Sequence, residues 1–464
     1  MRDRRQSGER QASVVPEARL RRDASARRLR AQYARAVFSY KRPMPRPPNA
    51  SGLPTRRAAL ALLESVLERH RPLEEALESL PPSLEARDRA AAHRIAAAVL
   101  RRMGSLDAVL EPFLSRNPPG VVRAALRMGA AELLLLGTPP HAAVASTVGA
   151  VPRPFAGLVN AVLRKVAAEG PAAMALLDGP RLDTPPWLWS AWHAAYGAAG
   201  ARAIAEAHDA PAPLDLSHRA GATPPEGAEV LPTGTWRMEA GTRITELPGF
   251  EEGLLWAQDV AAALPAILLD PKPGERIADL CAAPGGKTAQ LAAAGAEVVA
   301  VERDPRRAVR LRENLARLKL TATIVEADAT AWRPDGLFDA VLLDAPCSAT
   351  GTIRRHPDVA HIKRPKDVAS AAALQAKLIQ AATALLRPGG RLVYATCSLQ
   401  AEEGEAQAQA QRVKGLTPMP FEHQGAVAEM GAITPAGMLR TRPDMLAGFG
   451  GMDGFFAARF VRGD

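Results

Sequence analysis

Residues 276–288 read RIADLCAAPGGKT, a short apolar strand that runs into a glycine-rich turn and the start of a helix. Four further apolar runs alternate with helix-like segments along the chain, at 297–302, 323–327, 339–344 and 390–396. Parallel strands need crossover connections, which are usually helices, so this alternation predicts an α/β domain with a parallel sheet. We place that domain at 251–464.

The glycine turn suits two kinds of ligand. Gly285 and Gly286 let the backbone approach a bound molecule, and the helix start presents free N–H groups. Gly286, Lys287 and Thr288 match the end of the phosphate-binding loop G-x-x-x-x-G-K-T, but Cys281 stands where its first glycine belongs. A nucleoside cofactor instead requires an acid at the end of the second strand, to bind the ribose hydroxyls.

Two acids at strand ends favour the nucleoside cofactor. Glu302 ends the second strand, and Asp328 follows the third, where it is placed to meet an adenine edge. Either acid alone is more simply explained as a solvated loop carboxylate. Together, at the tips of consecutive strands beside a glycine turn, they indicate a cofactor site.

All three cysteines fall at predicted carboxyl ends of strands, where open α/β sheets bind their ligands. A cysteine is more often a small buried hydrophobic residue. Cys347 closely follows Asp344 after the fourth strand, and Cys397 follows the fifth. If those strands are neighbours, the two thiols converge on one pocket.

These motifs resemble those of the RNA cytosine-C5 methyltransferases, which use S-adenosylmethionine and carry a Pro-Cys and a Thr-Cys motif. The resemblance implies a Rossmann-like class I methyltransferase domain with a mostly parallel, seven-stranded sheet. The matching segments are DLCAAPGGKT (279–288), AVERD (300–304), EADAT (326–330), LLDAPCSATGTIRRHPD (342–358), YATCSLQAEE (394–403) and DGFF (453–456).

The resemblance also implies roles for individual residues. Cys397 would be the nucleophile, Cys347 would help to release the product, and Asp344 would contact the cofactor or the target base. The family more often has Asp at the position of Glu302, a difference of one methylene. Besides Glu302 and Asp328, the residues implied to contact S-adenosylmethionine are Cys281, Ala282, Ala283, Pro284, Gly285, Gly286, Lys287 and Asp344.

The chemistry of C5 methylation agrees with these residue types. C5 of cytosine is a poor nucleophile, but attack of a thiolate on C6 makes C5 enamine-like and able to accept a methyl group. A carboxylic acid such as Asp344 can hydrogen-bond the N3/N4 edge of the base and favour its electrophilic form. Because the base must be unstacked to be reached, the target is single-stranded or loop RNA.

Basic residues follow the Pro-Cys motif and are predicted to contact RNA phosphates. A cluster of this kind is as often simply a solvated face, but these lie next to the candidate site. The predicted RNA-binding residues are Arg354, Arg355, His356, Lys363 and Arg364.

The N-terminal half has a different character. Residues 51–170 show helical periodicity, for example at Leu60, Leu63 and Leu67, and predict an all-α domain of five to seven helices. This domain resembles the NusB-like, RNA-binding domain that accompanies such a catalytic half in enzymes of the bacterial 16S ribosomal RNA methyltransferase B (Sun/Fmu) type. Residues 171–250, rich in Pro and Gly, predict a small connecting domain.

The formal net charge of +10 resides entirely in residues 1–50, which hold fourteen Lys and Arg against four acidic residues. We predict that this stretch is a disordered extension. The remainder of the chain is neutral, so RNA binding by the folded part must depend on local patches.

Several classes of protein are disfavoured by the sequence. It has no run near the roughly 20 apolar residues that span a bilayer, no C-x-x-C pair and no ligand spacing among its nine histidines, so we expect no membrane and no metal. We expect a cytoplasmic enzyme acting on 16S ribosomal RNA, naked or in a partly assembled subunit. A transfer RNA cytosine-C5 methyltransferase, a P-loop-like ATPase and a non-catalytic RNA-binding factor remain as alternatives.

Overall fold

The structure is a computed structural model, and it describes residues 52–411, 415–422 and 425–463. The predicted disordered extension at 1–50 lies outside these residues.

The first domain is helical, as the periodicity predicts, and its apolar core includes Leu62, Val99, Leu126 and Leu163. The predicted boundary at residue 170 falls inside its last helix, which continues for six more residues. Its helices are α1 (Leu53–Leu67), α2 (Leu73–Glu78), α3 (Ala86–Arg101), α4 (Met103–Leu110), α5 (Gly120–Leu134), α6 (Pro140–Ala150) and α7 (Arg153–Leu176), with a 3-10 turn at Glu111–Phe113.

The connecting region contains two helices and a small antiparallel sheet in the order β2-β3-β1-β4. The last of these strands lies beyond the predicted boundary at residue 250, because it pairs with β1 rather than with the catalytic sheet. The elements are α8 (Gly179–Asp183), α9 (Pro186–Ala207), β1 (Leu214–His218), β2 (Glu229–Val230), β3 (Trp236–Met238) and β4 (Leu255–Ala257), with a 3-10 turn at Ile244–Glu246.

The catalytic domain is built on a sheet in the order β10-β12-β9-β8-β5-β6-β7, with β11 paired to β12 off this path. The five strands from β9 to β7 along this order are parallel, and β12 is antiparallel to β9. The strands are β5 (Arg276–Leu280), β6 (Glu297–Glu302), β7 (Thr323–Glu326), β8 (Phe338–Asp344), β9 (Leu386–Thr396), β10 (Leu416–Pro418), β11 (Leu439–Arg440) and β12 (Phe456–Arg462).

Helices cover both faces of this sheet. Leu343 points into the core beneath α14, whereas its neighbour Leu342 packs with α10 on the other face, as the twofold period of a strand requires. The helices are α10 (Val260–Leu269), α11 (Gly286–Ala293), α12 (Pro305–Leu318), α13 (Val359–Ile362), α14 (Pro365–Leu385), α15 (Glu405–Gln411) and α16 (Gly425–Glu429), with 3-10 turns at Ala401–Glu403 and Ala447–Phe449.

One helix of the described residues, α14, is long and apolar enough by length and composition to cross a membrane. Its residues Val368, Leu378 and Ile379 are buried, and the last two lie in the sheet's core. Core helices of globular domains meet the same test, so one such helix is weak evidence for a membrane span.

The helical domain contacts the segment that follows the Pro-Cys motif. The Leu73 amide donates to Asp358 Oδ2 at 3.0 Å, His361 Nε2 lies 2.7 Å from the Leu100 carbonyl oxygen, and Arg101 donates to a carbonyl oxygen of the same segment. The domain is therefore joined to the catalytic half beside the candidate site.

A buried group of charged residues joins the small sheet to the catalytic domain. Arg237 Nε lies 2.6 Å from Asp215 Oδ1, and Asp215 also accepts a hydrogen bond from the first amide of α10. Arg355 adds ion pairs to Asp259 at 2.5 Å and Asp453 at 3.2 Å. Because these residues come from five separate parts of the chain, the cluster fixes the connecting sheet against the loops of the catalytic domain.

Candidate active site

The glycine turn forms a tight cradle between β5 and α11. Cys281 has φ 60° and Gly285 has φ 103°, and the Ala283–Pro284 peptide bond is cis. The positive φ of Gly285 would strain any other residue, and a Cβ there would also lie 2.5 Å from Leu311 Cδ1, so glycine is strongly favoured. Arg307 on α12 donates to the Ala283 carbonyl oxygen at 2.6 Å and holds the turn in place.

Glu302 lies at the end of β6 with its carboxylate against this cradle, as predicted from the sequence. It is only 4% exposed. Its Oε1 accepts the Asp304 amide at 2.9 Å, and its Oε2 lies 3.3 Å from the Ala283 amide and 3.5 Å from Arg307 Nη1. The side chain is thus held in one orientation, which suits an acceptor for ribose hydroxyls.

We expect Glu302→Ala to weaken binding of S-adenosylmethionine by about 1–3 kcal/mol, since a hydrogen bond to a charged acceptor is lost. Isothermal calorimetry measures this, with Glu297→Ala as control, because Glu297 is exposed at the other end of the same strand. Unchanged affinity of the Glu302 variant, or tighter binding of ATP by the parent protein, would argue against this site.

Asp279 was not among the predicted site residues, and it lies directly under the cradle. It is fully buried, and Thr288 Oγ1 donates to its Oδ2 at 2.6 Å. Burial raises the pKa of Asp279 to about 7. Its Oδ1 has no hydrogen-bond partner within the described residues, so the base of the cradle retains an unused polar atom. Gly285, where the backbone can come close to a ligand, and the unpaired Asp279 Oδ1 are both features that fit a polar nucleoside ligand.

Asp328 lies two residues beyond β7, the strand next to β6, and is exposed. Its Oδ1 accepts the Thr330 hydroxyl at 2.6 Å and the Thr330 amide at 2.8 Å, and these bonds hold the pKa of Asp328 below its ordinary value. Its contact with the adenine stays a prediction.

Lys287 connects the cradle to the end of β8. Its Nζ lies 2.6 Å from Asp344 Oδ2 and 5.1 Å from the ring centre of Phe455. In a phosphate-binding loop this lysine would reach a phosphate, whereas here a carboxylate binds it. Asp344 is therefore placed between the cofactor cradle and the loop that carries Cys347.

The two thiols meet, as the strand order allows. Because β8 and β9 are neighbours, Cys347 Sγ and Cys397 Sγ lie 3.3 Å apart, and both cysteines are free and half-buried. The hydrogen bond to Cys397, followed by burial, raises the pKa of Cys347 well above its ordinary value. Cys281 lies in the cradle, and burial with the nearby carboxylates raises its pKa to about 12, so it stays a thiol.

Backbone contacts lock the loops around these thiols. The Gly351 amide donates to the Cys397 carbonyl oxygen at 3.0 Å, and the Gly454 amide donates to the Gly351 carbonyl oxygen at 2.8 Å. A Cβ on Gly351 would collide with the carbonyl oxygen of Gly454. The Pro-Cys, Thr-Cys and DGFF segments thus form one packed unit.

The predicted RNA contacts of Arg354 and Arg355 disagree with the structure. Arg354 is 2% exposed and donates to the Gly450 carbonyl oxygen, and Arg355 is committed to the buried ion pairs described above. Their partners are distant in the sequence, which is why the sequence at 354–355 resembles a basic surface patch. His356 and Lys363 are half-buried, and only Arg364 is exposed, where it donates to the His70 ring.

Across the described residues, no group of three or more His, Cys, Asp and Glu is arranged to hold a metal ion.

Comparison with known proteins identifies the family. A model described as 16S rRNA methyltransferase RsmB/F matches residues 266–461, and a model of the NusB family matches 53–168. Ribosomal RNA small subunit methyltransferase B of Sodalis glossinidius is 36% identical over 434 residues, which cover 87% of this chain and 96% of that protein. The protein of the same name from Erwinia tasmaniensis is 36% identical over 441 residues, covering 87% and 97%. The chain belongs to the ribosomal RNA small subunit methyltransferase B family.

The fold agrees with that membership. The crystal structure of PH0851 is similar to this chain with a TM-score of 0.67 and 22% identity, covering 87% of this chain and 98% of the other. As a member of the methyltransferase B family, the chain is a methyltransferase that uses S-adenosylmethionine. The predicted family, its two-part fold and its cofactor are thereby confirmed.

Proposed function

We propose that this enzyme transfers a methyl group to C5 of a cytidine in 16S ribosomal RNA through a covalent bond between Cys397 and C6. The observation that carries the proposal is the 3.3 Å contact between the Cys347 and Cys397 sulfurs, beside Asp344 and the cofactor cradle. The names of the relatives, which denote ribosomal RNA methyltransferases, support the choice of substrate.

Residues of the cradle and the adjacent strand ends would hold the cofactor. Glu302 offers its carboxylate to the ribose, and the turn around Gly285 offers backbone groups at close approach. When bound, S-adenosylmethionine supplies an electrophilic methyl group on its sulfonium.

The protein's own groups handle the base. Asp344 is placed to hydrogen-bond the N3/N4 edge of the cytosine, while the Cys397 thiolate forms a bond to C6 and its electron pair makes C5 nucleophilic. After C5 is methylated, its proton leaves to a base, for which Asp344 is a candidate within the same cluster. The C6–S bond then breaks, and the Cys347 thiol can donate a hydrogen bond to the departing Cys397 sulfur.

The thiol mechanism needs reduced cysteines, so we propose that the enzyme acts in the cytoplasm, where thiols stay reduced. The helical domain is proposed to bind the RNA and present its target cytidine, because it contacts the segment after the Pro-Cys motif.

Mapping 5-methylcytidine in ribosomal and transfer RNA tests the proposal. Cells lacking this chain should lose the modification at a 16S position, and the purified enzyme with S-adenosylmethionine should restore it on RNA from those cells. Assays on naked 16S RNA and on the small subunit would identify which form is the substrate. Loss from transfer RNA alone, or no loss of 5-methylcytidine, would overturn the proposed substrate.

A further inference from the structure

A buried carboxylate lies beneath the two thiols. Glu403 ends the 3-10 turn Ala401–Glu403 and has no exposed surface. Its Oε1 accepts the Ser348 amide at 2.8 Å, and its Oε2 accepts the Ser398 hydroxyl at 2.5 Å and the Ser348 hydroxyl. One side chain therefore binds both loops of the pocket.

The two serines directly follow the two cysteines in the sequence. Ser348 comes after Cys347 and Ser398 after Cys397, and the serine hydroxyl oxygens lie 3.1 Å apart. A shift of Glu403 would thus be passed to both sulfurs through single peptide units. The carboxylate sets the spacing of the loops from which the thiols project.

A further contact ties this arrangement to the helix layer. Gln375 on α14 donates from the same amide nitrogen to Glu403 Oε1 at 3.2 Å and to the Pro346 carbonyl oxygen at 3.0 Å. The Tyr394 hydroxyl donates to the Glu403 carbonyl oxygen at 2.5 Å. The position of the carboxylate is therefore determined from three directions.

The donors to this carboxylate are uncharged amide and hydroxyl groups. Burying a carboxylate has a large desolvation free energy, and a neutral side chain would fill the same core space with a smaller penalty. The negative charge also lies close enough to Cys347 to contribute to its raised pKa, after the larger effects of the Cys397 hydrogen bond and burial. A charge at this place thus favours a protonated Cys347.

We propose that Glu403 is a positioning residue. It holds the Ser348 and Ser398 loops so that the Cys347 and Cys397 sulfurs stay in contact, and so that only one of the two sulfurs acts as the nucleophile. The catalytic consequence rests on the proposed function, whereas the placement and ionisation of the thiols do not.

The first measurement uses the full-length protein without RNA. Diamide takes two electrons and two protons from the pair of thiols, is reduced to the hydrazine, and leaves one S–S bond between Cys347 and Cys397, which peptide mass spectrometry detects. After correction for the ionised fraction of the thiols, we expect Glu403→Ala to slow this cross-linking between about 10-fold and 100-fold. Glu402→Gln is the matched control, because Glu402 is the exposed neighbour in the same turn.

The second measurement is the pH profile of Cys347 alkylation by iodoacetamide. Removing the negative charge should favour the thiolate, so Glu403→Gln should move the profile to lower pH. A residue that only stabilised the fold would leave this profile in place. In methylation assays of the Glu403 variants, kcat should fall while the KM values for RNA and for the cofactor stay unchanged.

Wild-type cross-linking in Glu403→Ala, or a wild-type alkylation profile in Glu403→Gln, would overturn the proposal. If Glu403→Ala does not fold, Ser348→Ala and Ser398→Ala replace it; each should slow cross-linking, and wild-type rates in both would equally reject the idea. Should the thiol measurements turn out as expected while the parent fails to methylate RNA, the positioning role is supported and the proposed function fails.

Discussion

Cys397→Ala is expected to abolish both methylation and any covalent RNA adduct. Only attack on C6 makes C5 reactive. Of the two main causes that raise the pKa of Cys347, the hydrogen bond to Cys397 and burial, the substitution removes the first but leaves the second, which still disfavours a Cys347 thiolate. The loss should reach the background of the assay, since no other thiol of the pocket is ready to replace it. Radiolabelled methyl transfer to 16S RNA and denaturing gels of the enzyme–RNA mixture measure the two effects.

Cys347→Ala should give the opposite result on the gel. Attack by Cys397 and methylation proceed, but the C6–S bond lacks its hydrogen-bond donor and breaks slowly, so a protein–RNA species stable to denaturation should accumulate. Glu402→Gln, at an exposed position in the turn after the Thr-Cys motif, serves as the control. An adduct from Cys397→Ala and none from Cys347→Ala would assign the nucleophile to the Pro-Cys motif instead. Normal turnover in both variants would reject the thiol mechanism.

Asp215→Ala should destabilise the protein by about 3–5 kcal/mol, because it leaves the guanidinium of Arg237 buried without its carboxylate. Asp215 has no exposed side-chain surface and Arg237 only 3%. Asp215 also accepts the first amide of α10, and Arg355 lies 3.8 Å away. Urea unfolding, followed by the intrinsic tryptophan fluorescence to which Trp236 and Trp256 in the small sheet contribute, measures the change.

The control is Glu246→Ala in the same region. Glu246 pairs with Arg243, but both side chains are more than 60% exposed, so solvent screens the pair and its loss should cost less than about 1 kcal/mol. Equal effects of the two substitutions would show that the buried cluster does not join the sheet to the catalytic domain.

Much of the catalytic half could be predicted from local sequence. The run at 276–288 specifies a strand, a turn that needs glycine at residue 285, and a helix, and each is set by residues close together in the chain. Glu302 was found for the same reason, since it ends a regular apolar strand. The family motifs then identified the cofactor.

The local sequence pattern was less informative about side chains whose hydrogen-bond or ion-pair partners lie far away in the sequence. Arg354 and Arg355 look like a basic surface patch, and only the folded chain brings Asp259 and Asp453 to them. Glu403 is the last residue of the motif YATCSLQAEE (394–403), but its role could not be predicted from the motif, because that role depends on Ser348 from another loop.

The sequence by itself therefore determined the alternation of strands and helices, the glycine turn and the position of each cysteine at a strand end, because these depend on neighbouring residues and on the period of the strand. Tertiary structure decided which strands lie side by side, and so brought Cys347 and Cys397 to 3.3 Å across fifty residues of chain. It also decided which charges are buried, since burial depends on the whole packed chain and not on any one segment of it.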